Sequence, residues 1–421
     1  MLRAVKLVGS RAGVVGVVIA VLIAGCAQSG SDTPATPTVQ VSPTSSGADE
    51  PIRVSGKGWK SRSAVKVTLR SVDSNGVPWS SAATFRSDAQ GRWDTATAPI
   101  SGDYDRRWPM GLIAMLRPSP RAAARFYFWH REGNTFAFTA ESGGTTAAAT
   151  FSRSVTTTPL KYSSTHVSPD GFRGELAAPA SGRHPAVILL GGSEGGVGGP
   201  LDRLMLANHG YAVLTVAYFA APGLPDQLKN IPLEYFERAI RWLRERPEVD
   251  GEKVTVIGVS RGSEAALLLG THYPADVGAV VASVPSNVAL CGIPGCDAPA
   301  WTFKSAAVPY TRQLSSPAPS DQPAAVIPVE QIKGPVMVTC GGVDTVWPSC
   351  TFASAIAERR RANGHTSGDR FYRYPNAGHG VGIHVAYEPT TTSNINDELA
   401  REANLPRLLR FLRQAVSPTM K

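Results

Sequence analysis

Ser260 lies in the run Gly258-Val259-Ser260-Arg261-Gly262, a G-x-S-x-G pattern of the kind that presents a nucleophilic hydroxyl. Its two glycines permit a tight strand-to-helix turn and keep side chains away from the serine. Val254, Val256, Ile257 and Val259 lead into or thread the turn, and an apolar run from Ala265 to Leu269 follows, so a buried strand, a corner and a helix are expected here. The serine then stands at a helix N-terminus, where backbone N–H groups can face an anion. The plainer alternative is a strand–helix corner whose serine only caps the helix.

A serine hydroxyl needs a base to take its proton and an acid to orient that base. Where these follow the nucleophile on successive strands, the order is serine, acid, histidine. Gly334 to Asp344, GPVMVTCGGVD, is an apolar strand ending in a glycine turn with Asp344 at its tip. Phe371 to Gly380, FYRYPNAGHG, alternates aromatic and polar residues and breaks into a loop holding His379 between two glycines. Ser260, Asp344 and His379 are therefore the expected set. Asp369 is the rival acid, read as a solvated turn residue, and His384 is the rival base. His184, His209 and His272 read as surface or boundary residues.

Acyl chemistry also needs N–H donors for the oxyanion. The backbone N–H of Arg261, next after the serine, is one expected donor; Ala186 to Gly196, AVILLGGSEGG, opens an apolar run into a glycine turn that offers Gly192 or Ser193 as the other. A phosphate cradle would require Gly-Lys-Ser/Thr at the end of such a loop, and GGVGGP has no lysine.

The elements that must hold these residues follow from patterning. A chain of 421 residues with 43% hydrophobic content is long enough for two cores. Between Pro51 and about Val155, Val65, Val67 and Leu69 alternate with Lys66, Thr68 and Arg70, while Arg125 to Trp129 and Thr135 to Phe138 also read as strands. SDAQGRW and REGNTF read as hairpin turns within this small sandwich. After a boundary near Thr158, apolar strands alternate with helical patterns; Leu233, Phe236, Ile240 and Leu243 recur at helical spacing, with Glu234, Arg238, Arg241 and Arg244 outward. That alternation implies a mostly parallel sheet covered on both faces. Met110 and its neighbours read as core or interface.

Several stretches together are similar to one family. Ala217 to Leu243, AYFAAPGLPDQLKNIPLEYFERAIRWL, together with GVSRGSEAALLL and LLGGSEGG, resembles the C-terminal domain of the acyl-CoA thioesterase and bile acid-CoA:amino acid N-acyltransferase family. Arg106 to Leu116, RRWPMGLIAML, looks like that family's Pro-Met-Gly-Leu signature, so the resemblance extends over roughly three quarters of the chain. It implies an immunoglobulin-like β-sandwich at residues 50–157, an α/β-hydrolase domain at 158–418, and a triad on Ser260, Asp344 and His379 acting on an acyl thioester without a cofactor. Family acyltransferases to amino acids resemble cysteine enzymes, whereas this chain carries serine, so hydrolysis of the acyl-serine ester by water is the expected outcome.

The first residues bear on compartment. Arg3, Lys6 and Arg11 precede an apolar run from Ala12 to Ala24, and Ile23-Ala24-Gly25-Cys26 fits a bacterial lipobox, so residues 1–25 read as an export signal and Cys26 as a lipidated anchor in the membrane. Ser-, Thr- and Pro-rich residues 26–49 read as a disordered tether. Four further cysteines fall into two local pairs, Cys291 with Cys296 and Cys340 with Cys350, expected as disulfides outside the cytoplasm, the second stiffening the loop of Asp344. Intact acyl-CoA is not expected there, which leaves lipid, cell-wall or xenobiotic esters or amides as alternative substrates. A formal net charge of +9 suits anionic surroundings, and with Arg359-Arg360-Arg361 the only dense basic run no nucleic-acid partner is expected. Metal ligation would call for His and Cys at tighter repeated spacing. A hydrolase-derived binding lipoprotein, holding a ligand without turnover, is the reading from another class.

Overall fold

Strand order decides the architecture. In a computed structural model describing residues 36–124, 126–130, 132–365, 367–391 and 394–416, the described residues include an eight-stranded sheet, numbered here in chain order: β1 Leu160–Thr165, β2 Arg173–Pro179, β3 His184–Leu190, β4 Ala212–Ala217, β5 Val249–Val259, β6 Val277–Ser283, β7 Val336–Gly341 and β8 Arg370–Tyr374. Across the sheet they run β1-β2-β4-β3-β5-β6-β7-β8. β1 and β2 pair antiparallel with their neighbours, and every later pairing is parallel. The connecting helices are α1 Pro200–Asn208, α2 Leu233–Arg244, α3 Arg261–His272 and α4 Ser349–Ala362, with α5 Ile395–Val416 closing the chain's described part. This is the α/β-hydrolase fold.

The inner strands are buried on both faces, which is why β4 and β7 are buried at every position and mostly apolar, broken only by Thr215 and Thr339, rather than alternating. α2 buries Leu233, Phe236, Ile240 and Leu243, as its periodicity predicts. Two large apolar cores result among the described residues. One joins α2, α3 and one face of the sheet; the other runs from the opposite face through α1 and α5 into the N-terminal sheets.

Those N-terminal sheets are a three-stranded one, Thr38–Ser42, Arg53–Lys57 and Trp93–Asp94, and a seven-stranded one built on Ala64–Val72, Pro78–Arg86, Asn134–Ser142 and Thr145–Ser154. Val65, Val67 and Leu69 are fully buried while Lys66 and Arg70 are exposed, as the alternation predicts. Trp108, of the Pro-Met-Gly-Leu stretch, donates from Nε1 to Glu402 Oε2 at 2.6 Å on α5, and Met110 Sδ accepts from Ile52 N at 3.0 Å, so this stretch is interface and core. The described residues, from 36 to 416, belong to one compact unit.

Three expectations are corrected. The tether does not reach residue 49 without structure: Thr38–Ser42 pairs with Arg53–Lys57 and Ser45–Gly47 with Thr145–Ser154, because Val41 in TVQVS buries against the core of the N-terminal sheets. SDAQGRW turns the chain from Pro78–Arg86 into Trp93–Asp94 on the other sheet, while the hairpin after Asn134–Ser142 closes through Gly143-Gly144. Phe126 to Trp129 is irregular, with one bridge from Phe126 to Thr390. Arg125, the export signal at 1–25, Cys26 and tether residues 27–35 lie outside the described residues.

Candidate active site

Ser260 follows β5 and starts α3 with φ 55° and ψ −120°, a backbone conformation an L-residue adopts only where surrounding structure compels it. Compulsion comes from both sides. A Cβ on Gly262 would strike the carbonyl oxygens of Gly191 and Leu190, and one on Gly258 would strike the backbone of Gly262, so only glycine lets the corner close this tightly. The Ser260 carbonyl accepts from Ser263 N at 2.9 Å and Ser263 Oγ at 2.6 Å, and its N–H donates to Ser283 O on β6 at 3.0 Å. Arg261 is the first residue of α3, where main-chain N–H groups have no partner within the helix.

Asp344 lies in the turn after β7, with its side chain 1% exposed. Its Oδ1 accepts from Val346 N at 2.9 Å and its Oδ2 meets His379 Nδ1 at 2.8 Å. Burial pushes this carboxyl up, but hydrogen bonds from His379 and Ser349 outweigh it and hold the group below the usual aspartate range. His379 opens a 3₁₀ turn, His379–Gly382, after β8, and its ring is 24% exposed. Gly382 of the same turn packs directly on Val259, the residue before Ser260, and on Val284. Trp347 lies edge-on to the His379 ring at 5.6 Å and anchors its Nε1 on Val284 O at 3.0 Å. Asp344 and His379 are thus joined, and their turn is packed against the serine corner.

The rivals are elsewhere. Asp369 is not a solvated turn residue: its side chain is 5% exposed, bonded to Arg360 at 2.6 and 2.9 Å and accepting from Val336 N at 2.8 Å, where it ties α4 to β7. His384 is buried, with Nε2 on Ser283 Oγ at 2.9 Å. His184 and His209 are partly exposed, His209 meeting Asp49 at 2.7 Å, while His272 packs tilted against Phe303 with ring centroids 4.2 Å apart.

The glycine turn after β3 reaches the serine, since a Cβ on Gly192 would lie 3.1 Å from Ser260 Cβ. Of its two expected donors, the Gly192 N–H is already directed to Glu194 Oε1 at 2.9 Å, which leaves the exposed Ser193. Tyr218, at the end of β4, donates to Gly191 O at 2.6 Å and holds the turn from below. Sequence reading passed over Tyr218, Trp347 and Glu194; a lone aromatic or acid beside a glycine turn carries no spacing signal. The sulfurs of Cys291 and Cys296, and of Cys340 and Cys350, sit at bonding distance.

Two models of a single family match the chain: BAAT / acyl-CoA thioester hydrolase C terminal over residues 231–403, and acyl-CoA thioester hydrolase/BAAT N-terminal region over 49–161. Between them they take in more than half of it. The chain belongs to the acyl-CoA thioester hydrolase/BAAT family. Among relatives, acyl-coenzyme A thioesterase 6 of Mus musculus is 29% identical, covering 79% of this chain and 82% of the relative. Acyl-coenzyme A amino acid N-acyltransferase 1 of Mus musculus is 25% identical over 80% of this chain and 84% of its own length. An alpha/beta hydrolase enzyme from a deep-sea metagenome library overlaps 61% of this chain and 99% of its own at 15% identity and TM-score 0.41; the fold assignment rests instead on this chain's own strand order. As a family member, the chain carries its serine corner, acid turn and histidine turn inside the C-terminal match, and the glycine turn of β3 between the two matched segments.

Proposed function

We propose that this chain is a serine hydrolase cleaving acyl thioesters or esters through an acyl-Ser260 intermediate. The observation that carries the reading is the Asp344–His379 pair, hydrogen-bonded at 2.8 Å and packed through its 3₁₀ turn on the strained Ser260 corner. In this reading His379 Nε2 takes the Ser260 proton as Oγ bonds to the acyl carbon. The oxyanion is held by the N–H groups of Arg261 and Ser193, and the carbon–sulfur or carbon–oxygen bond breaks as His379 returns the proton to the leaving group. Water then repeats the cycle in reverse and frees the acid. Asp344, kept ionised, holds the Nδ1 proton and stabilises the imidazolium.

Serine rather than cysteine favours hydrolysis, because an oxygen ester yields readily to water under general-base help. Purified protein is expected to release acid from p-nitrophenyl or acyl-CoA substrates, and Ser260→Ala to abolish this; unchanged turnover in that variant overturns the reading. Amide products on adding glycine or taurine would point to N-acyl transfer, the activity in the name of the second relative above. Labelling of Ser260 by a fluorophosphonate separates an enzyme from a silent binder.

Export with a lipid anchor at Cys26 belongs to the same proposal, supported by the lipobox and by the two cysteine pairs read as disulfides. So does the immunoglobulin-like class of the N-terminal sheets. Mass spectrometry of the mature N-terminus checks the anchor: an unmodified Met1 would exclude it.

A further inference from the structure

The glycine turn after β3 carries a carboxylate that neither the fold nor the expected mechanism uses. Glu194 is exposed, yet its head is not free in solvent: Oε1 accepts from Gly192 N at 2.9 Å. The carboxylate lies where side chains would otherwise stand, since a Cβ on Gly191 or Gly198 would collide with or crowd Oε1 and one on Gly192 would lie 3.0 Å from Oε2. Three glycines are thus spent on seating one carboxylate. The same point beside Gly192 is 3.1 Å from Ser260 Cβ, so Glu194 and the serine are close neighbours across a single missing side chain.

We propose that Glu194 is a specificity-determining residue that sets the charge allowed on the group leaving from, or arriving at, the acyl-serine. The inference rests on Ser260 being the nucleophile. A negative charge seated beside the serine is felt by any charge carried next to the scissile sulfur or oxygen, and because Glu194 is exposed that field is screened by salt. Groups that are anionic there are disfavoured; neutral or cationic ones are accepted. Because departure of the leaving group and arrival of the acceptor pass through the same subsite, the same rule applies to both. It turns the acyl-enzyme away from acceptors that bear a carboxylate or sulfonate beside the amine, and so toward water. In each case the acyl carbon bonds to the acceptor oxygen or nitrogen, the Ser260 Oγ–carbon bond breaks, and the acceptor's proton passes through His379 to Oγ. Thioesters whose thiol carries a neutral amide arm, as in pantetheine, meet no such penalty.

The test is a set of three butyryl thioesters differing only in leaving-group charge: thiocholine (cation), 2-mercaptoethanol (neutral) and thioglycolate (anion), followed by thiol release with wild type, Glu194→Gln and Glu194→Ala. Glutamine keeps an acceptor for the Gly192 N–H and removes the charge. The expected result is that the cation-to-anion ratio of kcat/KM, each scaled to the neutral ester, falls on the order of ten-fold in Glu194→Gln, and that 0.5 M salt narrows the wild-type ratio in the same direction. An unchanged ratio in Glu194→Gln overturns the proposal, and a uniform loss for all three esters in Glu194→Ala alone would leave the residue a mere staple of the loop. If Ser260→Ala still hydrolyses the neutral ester, the nucleophile assignment has failed instead, which the charge series does not mimic.

Discussion

Two serine–histidine–aspartate sets lie side by side at the carboxyl ends of β5 and β6. Ser260, His379 and Asp344 form one; Ser283, His384 and Asp202 form the other, with Ser283 Oγ 2.9 Å from His384 Nε2 and His384 Nδ1 3.7 Å from Asp202 Oδ1. The two serines even share a hydrogen bond, Ser260 N to Ser283 O. Residue types are the same, but the environments are opposite. Ser283 ends an ordinary strand and is fully buried, whereas Ser260 stands on a strained corner. The His384 ring is 1% exposed, and burial pushes its pKa down despite Asp202. Burial disfavours the imidazolium that taking a serine proton would create, and the bonds of this set join the histidine loop, β6 and α1 as a structural brace. Access and solvation, not residue identity, distinguish the two sets.

The sharpest way to break this comparison is to truncate both serines. Ser260→Ala should lower kcat by about 10⁴-fold or more, while Ser283→Ala should leave kcat within roughly three-fold and act on stability. Comparable losses from both, measured by acid release, would mean that the buried set takes part in turnover. The acids come next: Asp344→Asn should cost about 10³- to 10⁴-fold in kcat through a wrongly held imidazole, and Asp202→Asn should instead lower the melting temperature with little effect on kcat.

A smaller effect is expected from pH. His384 has a folded pKa below its ordinary value of about 6.5, so as pH falls past that value the unfolded chain takes a proton that the native ring refuses. The contribution is fully present above about pH 6.5 and declines with acidification, at up to about 1.4 kcal/mol per pH unit, until the buried ring titrates. Melting curves of His384→Asn against wild type should show a shallower acid slope in the variant. Asp344 behaves differently: its pKa is depressed, so the stability of its pairing is present above about pH 3.9 and is lost only as pH falls through its lower folded value. Confined to stability, and without an expected change in kcat, is the bridge read between Cys340 and Cys350, which adjoins the Ser260 set alone. Replacing both by serine should cost roughly 2 to 3 kcal/mol of stability from loop entropy, seen in denaturant titration.

Much of this site was legible along the chain because its signals are local. G-x-S-x-G needs only a five-residue window, and the acid and histidine each sit where an apolar strand breaks into glycine. The crossover helix α2 was equally legible from its period. What was missed depends on residues distant in sequence. TVQVS was read as tether because its composition is polar, yet one buried valine and a partner strand at Arg53–Lys57 suffice to order it. Asp369 was read as solvated because its partner Arg360 lies on a helix whose packing no spacing reveals.

Residue order alone singled out the proposed nucleophile, the proposed succession serine–acid–histidine and the alternation of strands and helices, since each depends on near neighbours and on backbone sterics. Tertiary structure decided which histidine is wet and which is braced, which acid pairs with it, and that the Gly192 N–H is committed to Glu194. Those outcomes turn on burial and on hydrogen bonds between segments far apart in the chain, and only the packed molecule sets either.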